Sequence, residues 1–170
     1  MKRAPRVAAV QDISGFGRCS MTVALPVLSA MGAQCCPLPT AYLSAHTAFP
    51  ELGKAAFLDL TRELEQTQEH WAALGVALDA VYSGFIGSAG QIAAIRRFYE
   101  RFRGADTVVL CDPVMGDGGR PYRTYTPDMC RAMGELAALA DVITPNLTEA
   151  ALLLGEEYAD APGSETAARA

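Results

Sequence analysis

Short apolar runs alternate along this chain with longer stretches in which apolar residues recur at helical spacing. Residues 6–11 read as a buried strand. A glycine-containing loop, 12–18, leads into a helix over about 20–31, with Gly32 placed to cap its end. Pro26 lies inside that helix and is expected to kink it. Residues 33–38 form a second strand, and 40–54 show no regular pattern. Thr61 can cap a helix that presents Leu64, Trp71 and Leu74 on one face. Residues 80–85 are a third strand. Ser88 caps a helix with Ile92, Ile95, Tyr99 and Phe102 in register, closed by Gly104. A fourth strand covers 107–111. Thr126 and Pro127 make a cap and first-turn pair for a helix to Ala140. Residues 142–144 are a short strand, and Asn146 opens a helix that Gly155 ends.

Strands and helices that alternate in this way predict βαβ units, hence an α/β fold around a mostly parallel sheet with helices on both faces. Right-handed crossovers then bring the carboxyl end of each strand to one edge. There is no internal repeat and no low-complexity segment. A further helix begins at Ser164 and Glu165, in "SETAARA", where the sequence ends. The sheet is therefore expected to be incomplete at its C-terminal side, with residues 1–170 forming a single domain or the N-terminal part of one.

Composition narrows the function classes. The chain has 170 residues, 51% hydrophobic and 19% charged, which is globular composition. A net charge of −5 gives no basic footprint for nucleic acid or an anionic membrane surface. No apolar stretch approaches the roughly 20 residues of a membrane span. The apolar run behind the basic start covers only 7–10, too short for a signal peptide, so a cytoplasmic protein is expected. The five cysteines, Cys19, Cys35, Cys36, Cys111 and Cys130, include no C-x-x-C pair. They read as small core residues in a reducing compartment, not as a disulfide framework or zinc site.

The predicted edge of the sheet collects most of the chemistry. The first strand delivers Asp12, Ser14, Gly15 and Gly17, and the second leads towards Ser44, His46 and Thr47. The fourth ends in "VVLCDPVMGDGG", an apolar run stopped by Asp112 and Pro113 and followed by a glycine-rich loop. The fifth gives Thr144, Asn146 and Glu149. A carboxylate at such an edge can hold hydrated Mg²⁺ against phosphates, and glycines beside it let backbone N–H groups approach an anion. Each piece also has a purely structural reading. Asp112-Pro113 can be a strand stop, "NLTE" is a capping box, and His46 can be a structural histidine. "GFGRCS" imitates a dinucleotide fingerprint, but Ser20 replaces its third glycine and no acidic residue ends the second strand. There is no Walker A sequence.

Four stretches together, "DISGFGRCSMTVALPVLSAMGAQCCPLPTAYLSAHT", "VYSGFIGS", "CDPVMGDGG" and "DVITPNLTEA", resemble the pyridoxal (pyridoxamine) kinase branch of the ribokinase-like superfamily, over about 7–154. The resemblance implies a ribokinase-like fold, ATP and Mg²⁺ as cofactors, and phosphorylation of the 5′-hydroxymethyl group of a B6 vitamer. It places Asp12, His46 and Thr47 at the vitamin. Asp112, Asp117, Thr144, Asn146 and Glu149 fall on the nucleotide side, with Asp112 and Glu149 at the metal. Asp117 and the glycines behind it would form a mobile loop over the site. A homodimer is also implied.

Two departures stand out. Pyridoxal kinases often carry serine at the position of Asp12, and "D-x-S-G-x-G" leans to the hydroxymethylpyrimidine phosphate kinases of thiamine synthesis. The superfamily's G-[TA]-G-D segment, which supplies the anion hole and the catalytic base, is absent. No catalytic base is therefore assigned, and the chain is expected to be the N-terminal portion of a kinase, inactive alone. A catalytically dead binding remnant is the competing reading.

Overall fold

The computed structural model describes residues 3–47, 49 and 52–158. Strand β1 (Arg6–Ser14) pairs in parallel with β2 (Gln34–Leu43) on one side and β4 (Ala80–Ser83) on the other. Beyond β4 come β5 (Val108–Cys111) and β8 (Val142–Ile143), both parallel. The opposite edge is β3 (Phe57–Asp59), antiparallel to β2. The order is β3-β2-β1-β4-β5-β8. A separate antiparallel hairpin, β6 (Gly116–Asp117) and β7 (Arg120–Pro121), stands behind β5.

From β1 the chain moves outward to β2, then crosses back to the other side of β1 for β4, β5 and β8. Right-handed crossovers of opposite sense place their helices on opposite faces. Accordingly α1 (Met21–Ala30) packs through Met21 and Ala24 against Ala9 and Tyr82. The other face carries α2 (Thr61–Ala73), α3 (Ala89–Phe102) and α4 (Pro127–Ala137) over the main core, which includes Val10, Leu38, Val81, Ile95, Phe98 and Val109. Helix α5 (Leu147–Leu154) follows β8 and touches α4 and the hairpin. The reversal falls between β1 and β4, and open sheets of this kind bind ligands at the carboxyl ends beside such a reversal.

The local signals hold where they are strongest. Ser88 and Thr126 accept from Gln91 N and Met129 N, each at 3.2 Å. Ile92, Ile95, Tyr99 and Phe102 are all buried. Gly32 and Gly155 take positive φ of 84° and 69°. All five cysteines are free thiols.

Several boundaries differ from expectation: the third strand ends at Ser83, short of 85, and Thr61 is the first residue of α2 with Leu60 in the cap position and no side-chain cap bond. Strand β1 continues to Ser14, past a register shift between Gln11 and Ile13. Strand β2 continues to Leu43 despite Pro37 and Pro39. The Gln34 amide donates to Pro5, so by alternation 37 and 39 turn their amide side away from β1. On that side β3 pairs only from Ala41 onward, and the missing N–H groups cost no ladder bond. Leu74 is a helix C-cap residue, 64% exposed, and Gln68 takes its place on the buried face with Nε2 donating to Ala94 O. Helix α4 stops at Ala137, short of Ala140. Helix α1 runs through Pro26 unbroken. The "SETAARA" helix lies outside the described residues.

One face is only partly covered. Helix α1 contacts β1 and β2, and on its side of β5 the side chain of Val108 is about half exposed. No described helix is long and apolar enough to cross a membrane.

Candidate functional site

Asp12 and Ser14 lie on the last residues of β1, beyond the register shift, and both are buried. The Ser14 hydroxyl donates to Asp12 Oδ2 at 2.8 Å. The next loop is tied to the end of β2: Gly15 N donates to Leu43 O at 2.8 Å, and His46 N to Phe16 O at 2.9 Å. A side chain at Gly15 would put its Cβ 3.1 Å from the Ser44 carbonyl oxygen, so the close crossing of these segments favours glycine. The crossing brings His46 and Thr47 next to Asp12 and Ser14.

These residues line a small, partly open recess, together with Ser20, Leu43, Phe85, Val114 and Tyr122. Phe85 is held by a buried amide. Gln91 Nε2 donates to Thr40 O at 2.6 Å, Gly87 N donates to Gln91 Oε1 at 2.9 Å, and Thr40 Oγ1 donates to Phe85 O at 3.0 Å. Phe85 and Tyr122 were missed in the sequence, because a lone aromatic in a loop carries no periodic signal. Tyr122 follows the dense glycine run, which was the available clue.

The second cluster sits beside the first. The Asp112 backbone amide donates to Ser83 O at 2.9 Å, which fixes the residue at the end of β5 next to β4. Burial pushes the Asp112 carboxyl up, opposed by a hydrogen bond from Thr144. No ion pair to Asp112 occurs among the described residues. Asp112 opens onto a groove shared by Gln11, Tyr82 and α1, which meets the first recess at Val114. Thr144, exposed at the end of β8, donates its backbone amide to Cys111 O.

Asn146 and Glu149 form the expected capping box: Asn146 Oδ1 accepts from Glu149 N at 2.9 Å, and Glu149 Oε2 from Asn146 N at 2.8 Å. Glu149 does more than cap. It is 3% exposed, and its Oε1 accepts from Met115 N at 3.2 Å, across the glycine loop. Burial pushes its carboxyl up, the backbone donors at Asn146 and Met115 pull it back, and the charge of Asp112 raises it again. Asp117 is exposed on the hairpin, where Oδ1 accepts from Gly118 N. The expected loop over the site takes the form of the β6–β7 hairpin. Tyr122 lies between the clusters: burial raises its phenol, as do the charges of Asp117, Glu149 and Asp112. It therefore stays protonated and can donate.

Asp112 suits a cation: a half-buried carboxylate whose charge no described basic group offsets. Glu149 suits one less directly, because both its oxygens already accept backbone hydrogen bonds. Among the described residues no group of three or more His, Cys, Asp or Glu side chains could hold a metal alone. Mg²⁺ commonly binds through one or two carboxylates plus water and substrate phosphates, and the donor set fits only that mode.

The raised pKa of Asp112 has a stability consequence. Its ionised form is disfavoured in the fold, so the cost is full above the folded pKa and fades as pH falls to the unfolded value. Asp112→Asn should therefore be at least as stable as the parent at neutral pH, the difference closing in acid. In an active, complete enzyme it should raise the Mg²⁺ requirement and depress turnover. Thermal melts across pH check the first part and Mg²⁺ titration of the rate the second. Unfolding of the variant with normal turnover per folded molecule would make Asp112 a structural strand stop.

A mostly parallel α/β sheet with polar residues gathered beside its strand reversal belongs to the class of open α/β proteins that bind ligands at the carboxyl ends of their strands. Residues 25–170 match the phosphomethylpyrimidine kinase family model, and the chain belongs to that family. It is similar to pyridoxal kinase PdxY of Pseudomonas fluorescens (strain Pf0-1), 32% identical over 153 residues that cover 88% of this chain and 52% of the relative. A phosphomethylpyrimidine kinase structure from Bacteroides thetaiotaomicron, in a form with pyridoxal, superposes with TM-score 0.90 at 45% identity, over 98% of this chain and 57% of that one. Pyridoxal kinase from Leishmania donovani, in complex with ADP and pyridoxamine, matches with TM-score 0.71 at 28% identity, over 87% of this chain and 52% of that one. The chain thus spans about half the length of the curated relatives it matches.

Proposed function

We propose that this chain is the N-terminal, vitamin-binding and phosphate-binding part of a cytoplasmic, homodimeric B6-vitamer kinase of ribokinase-like fold. The reaction transfers the γ-phosphoryl group of ATP to the 5′-hydroxymethyl group of pyridoxal, pyridoxamine or pyridoxine. The observation that carries the reading is the meeting, at Ser20 and Val114, of the recess and the groove onto which Asp112 opens, which puts the recess beside a half-buried carboxylate at one sheet edge.

In this reading Asp12, His46 and Thr47 bind and orient the ring, and Phe85 and Leu43 exclude water from its faces. Asp112, Thr144 and Glu149, with Asn146 and Asp117, hold the phosphate end of the nucleotide. Mg²⁺, when bound, neutralises charge on the phosphates. Positioning of this kind lowers the barrier by making the attack effectively intramolecular. By family resemblance the base that takes the hydroxyl proton belongs to the G-[TA]-G-D segment, which these residues do not include.

Thr47 separates the vitamin side from the nucleotide side. In a complete enzyme Thr47→Ala should raise KM for pyridoxal about tenfold, the scale of one or two lost hydrogen bonds. KM for ATP should stay constant. Steady-state kinetics with each substrate varied in turn decides it. The reverse pattern would move this loop to the nucleotide and end the reading.

A second reading has its own observation. Asp12 stands where pyridoxal kinases often carry serine, and its bond to Ser14 fits the D-x-S-G-x-G pattern of pyrimidine kinases. Competition between pyridoxal and hydroxymethylpyrimidine for the recess separates the two.

A further inference from the structure

The β6–β7 hairpin has two residues in each strand. Its turn passes through Gly118 and Gly119 at φ of 57° and 77°. A ribbon this short has little stability of its own, because isolated hairpins are at best marginal in water. It is ordered by the N-terminal turn of α5. Asn146 Nδ2 donates to Gly116 O at 2.9 Å, and Met115 N donates to Glu149 Oε1 at 3.2 Å. Both of those bonds hold the outgoing strand. The turn is held by one other, in which Gly119 N donates to Thr148 Oγ1 at 2.9 Å.

Thr148 is not needed for capping, since Asn146 and Glu149 already satisfy the first turn of α5. Its side chain is nonetheless 3% exposed and turned towards the hairpin. Gly119 is also packed under Tyr158, where an added Cβ would stand 2.7 Å from the ring. Three residues further on is Tyr122, which donates its amide to Met115 O at 2.8 Å and contributes its side chain to the recess with Asp12 and Thr47. Slack at Gly119 has only Arg120 and Pro121 through which to be absorbed before it reaches Tyr122.

We infer that Thr148 is a positioning residue: its hydroxyl latches the hairpin turn to α5 and thereby sets Tyr122 in the wall of the ring-binding recess. The inference rests on the proposed function for the identity of the ligand, but the latch itself does not. Through the same turn of α5 it links the Glu149 side of the site to the vitamin side.

The test uses a complete enzyme that contains this chain, with two substitutions. Thr148→Val keeps the shape and removes the acceptor, while Thr148→Ser keeps the acceptor. Amide exchange followed by NMR should quicken at Gly119 and Tyr122 together in Thr148→Val, by about tenfold, with Ile95 in the core unchanged. Pyridoxal binding, followed by its absorbance, should weaken about three- to tenfold, the scale of one hydrogen bond. ATP binding should not move. Thr148→Ser should restore both. A purely structural role would lower the melting temperature and leave the ratio of pyridoxal to ATP affinity alone. Unchanged exchange at Gly119, or quicker exchange with unaltered pyridoxal affinity, overturns the inference. If the parent enzyme binds no pyridoxal, the vitamin reading falls, and joint exchange at Gly119 and Tyr122 still decides the latch.

Discussion

Supplied with pyridoxal, ATP and Mg²⁺, residues 1–170 alone should form no pyridoxal phosphate above background. The chain can supply proximity, with a recess for the ring and a carboxylate edge for the phosphates. By family resemblance it lacks the G-[TA]-G-D segment, hence both the base and the anion hole. A general base is typically worth about 10²–10⁴-fold and one oxyanion donor about 10²–10³-fold. Losing both takes the rate below detection. The half-covered sheet adds to the loss: Val108 and the outer side chains of α1, Leu25, Val27 and Met31, are all exposed. Parallel sheets are ordinarily covered on both faces, so the isolated chain should also aggregate readily. Absorbance of pyridoxal phosphate gives the readout. Steady turnover that scales with protein and disappears in Asp12→Ala or Asp112→Ala would show that the chain carries its own base, with Asp12 the first candidate.

Glu149→Ala should be the most damaging single substitution to the fold of the site. An N-terminal capping interaction is worth about 0.5–2 kcal/mol. Here the same carboxylate also receives the Met115 amide, and a buried donor left without a partner costs about 1–3 kcal/mol. Together these predict a loss of about 1.5–5 kcal/mol, measured as a shift of the urea midpoint at constant m-value. Glu149→Gln should fall between: its carbonyl keeps one donor, and its NH₂ group confronts the other. In a complete enzyme the Gln variant should also lose Mg²⁺-dependent activity beyond its loss of stability. A Glu149→Ala variant within about 0.5 kcal/mol of the parent, the range of ordinary surface substitutions, would reduce the residue to a replaceable cap.

Both expectations depend on how the site was built, and only part of that building is written locally. Apolar runs gave the five parallel strands but neither β3 nor the β6–β7 hairpin, and the Ser88, Thr126, Asn146 and Gly155 signals gave helix ends, because a cap is decided within three or four residues. Asp12 and Asp112 were legible as edge carboxylates because strand ends follow from the same pattern. Tyr122 was not, since its place depends on a hairpin docked against a helix some 29 residues away in sequence. Glu149 was half legible: the box could be read, whereas the bond from Met115, 34 residues earlier, could not.

The sequence by itself therefore determined the α/β alternation, the helix starts capped by Ser88, Thr126 and Asn146, and the polar residues destined for one sheet edge. Those depend on backbone propensity and periodicity, which act over one or two turns. Tertiary structure alone decided that β2 passes through two prolines, because only the placement of β3 leaves that stretch of its edge unpaired. It alone joined the recess to the carboxylate groove at Ser20 and Val114. The reason is physical: a hydrogen bond or contact between distant segments is settled by which surfaces the packed core brings together, and many local sequences are compatible with either outcome.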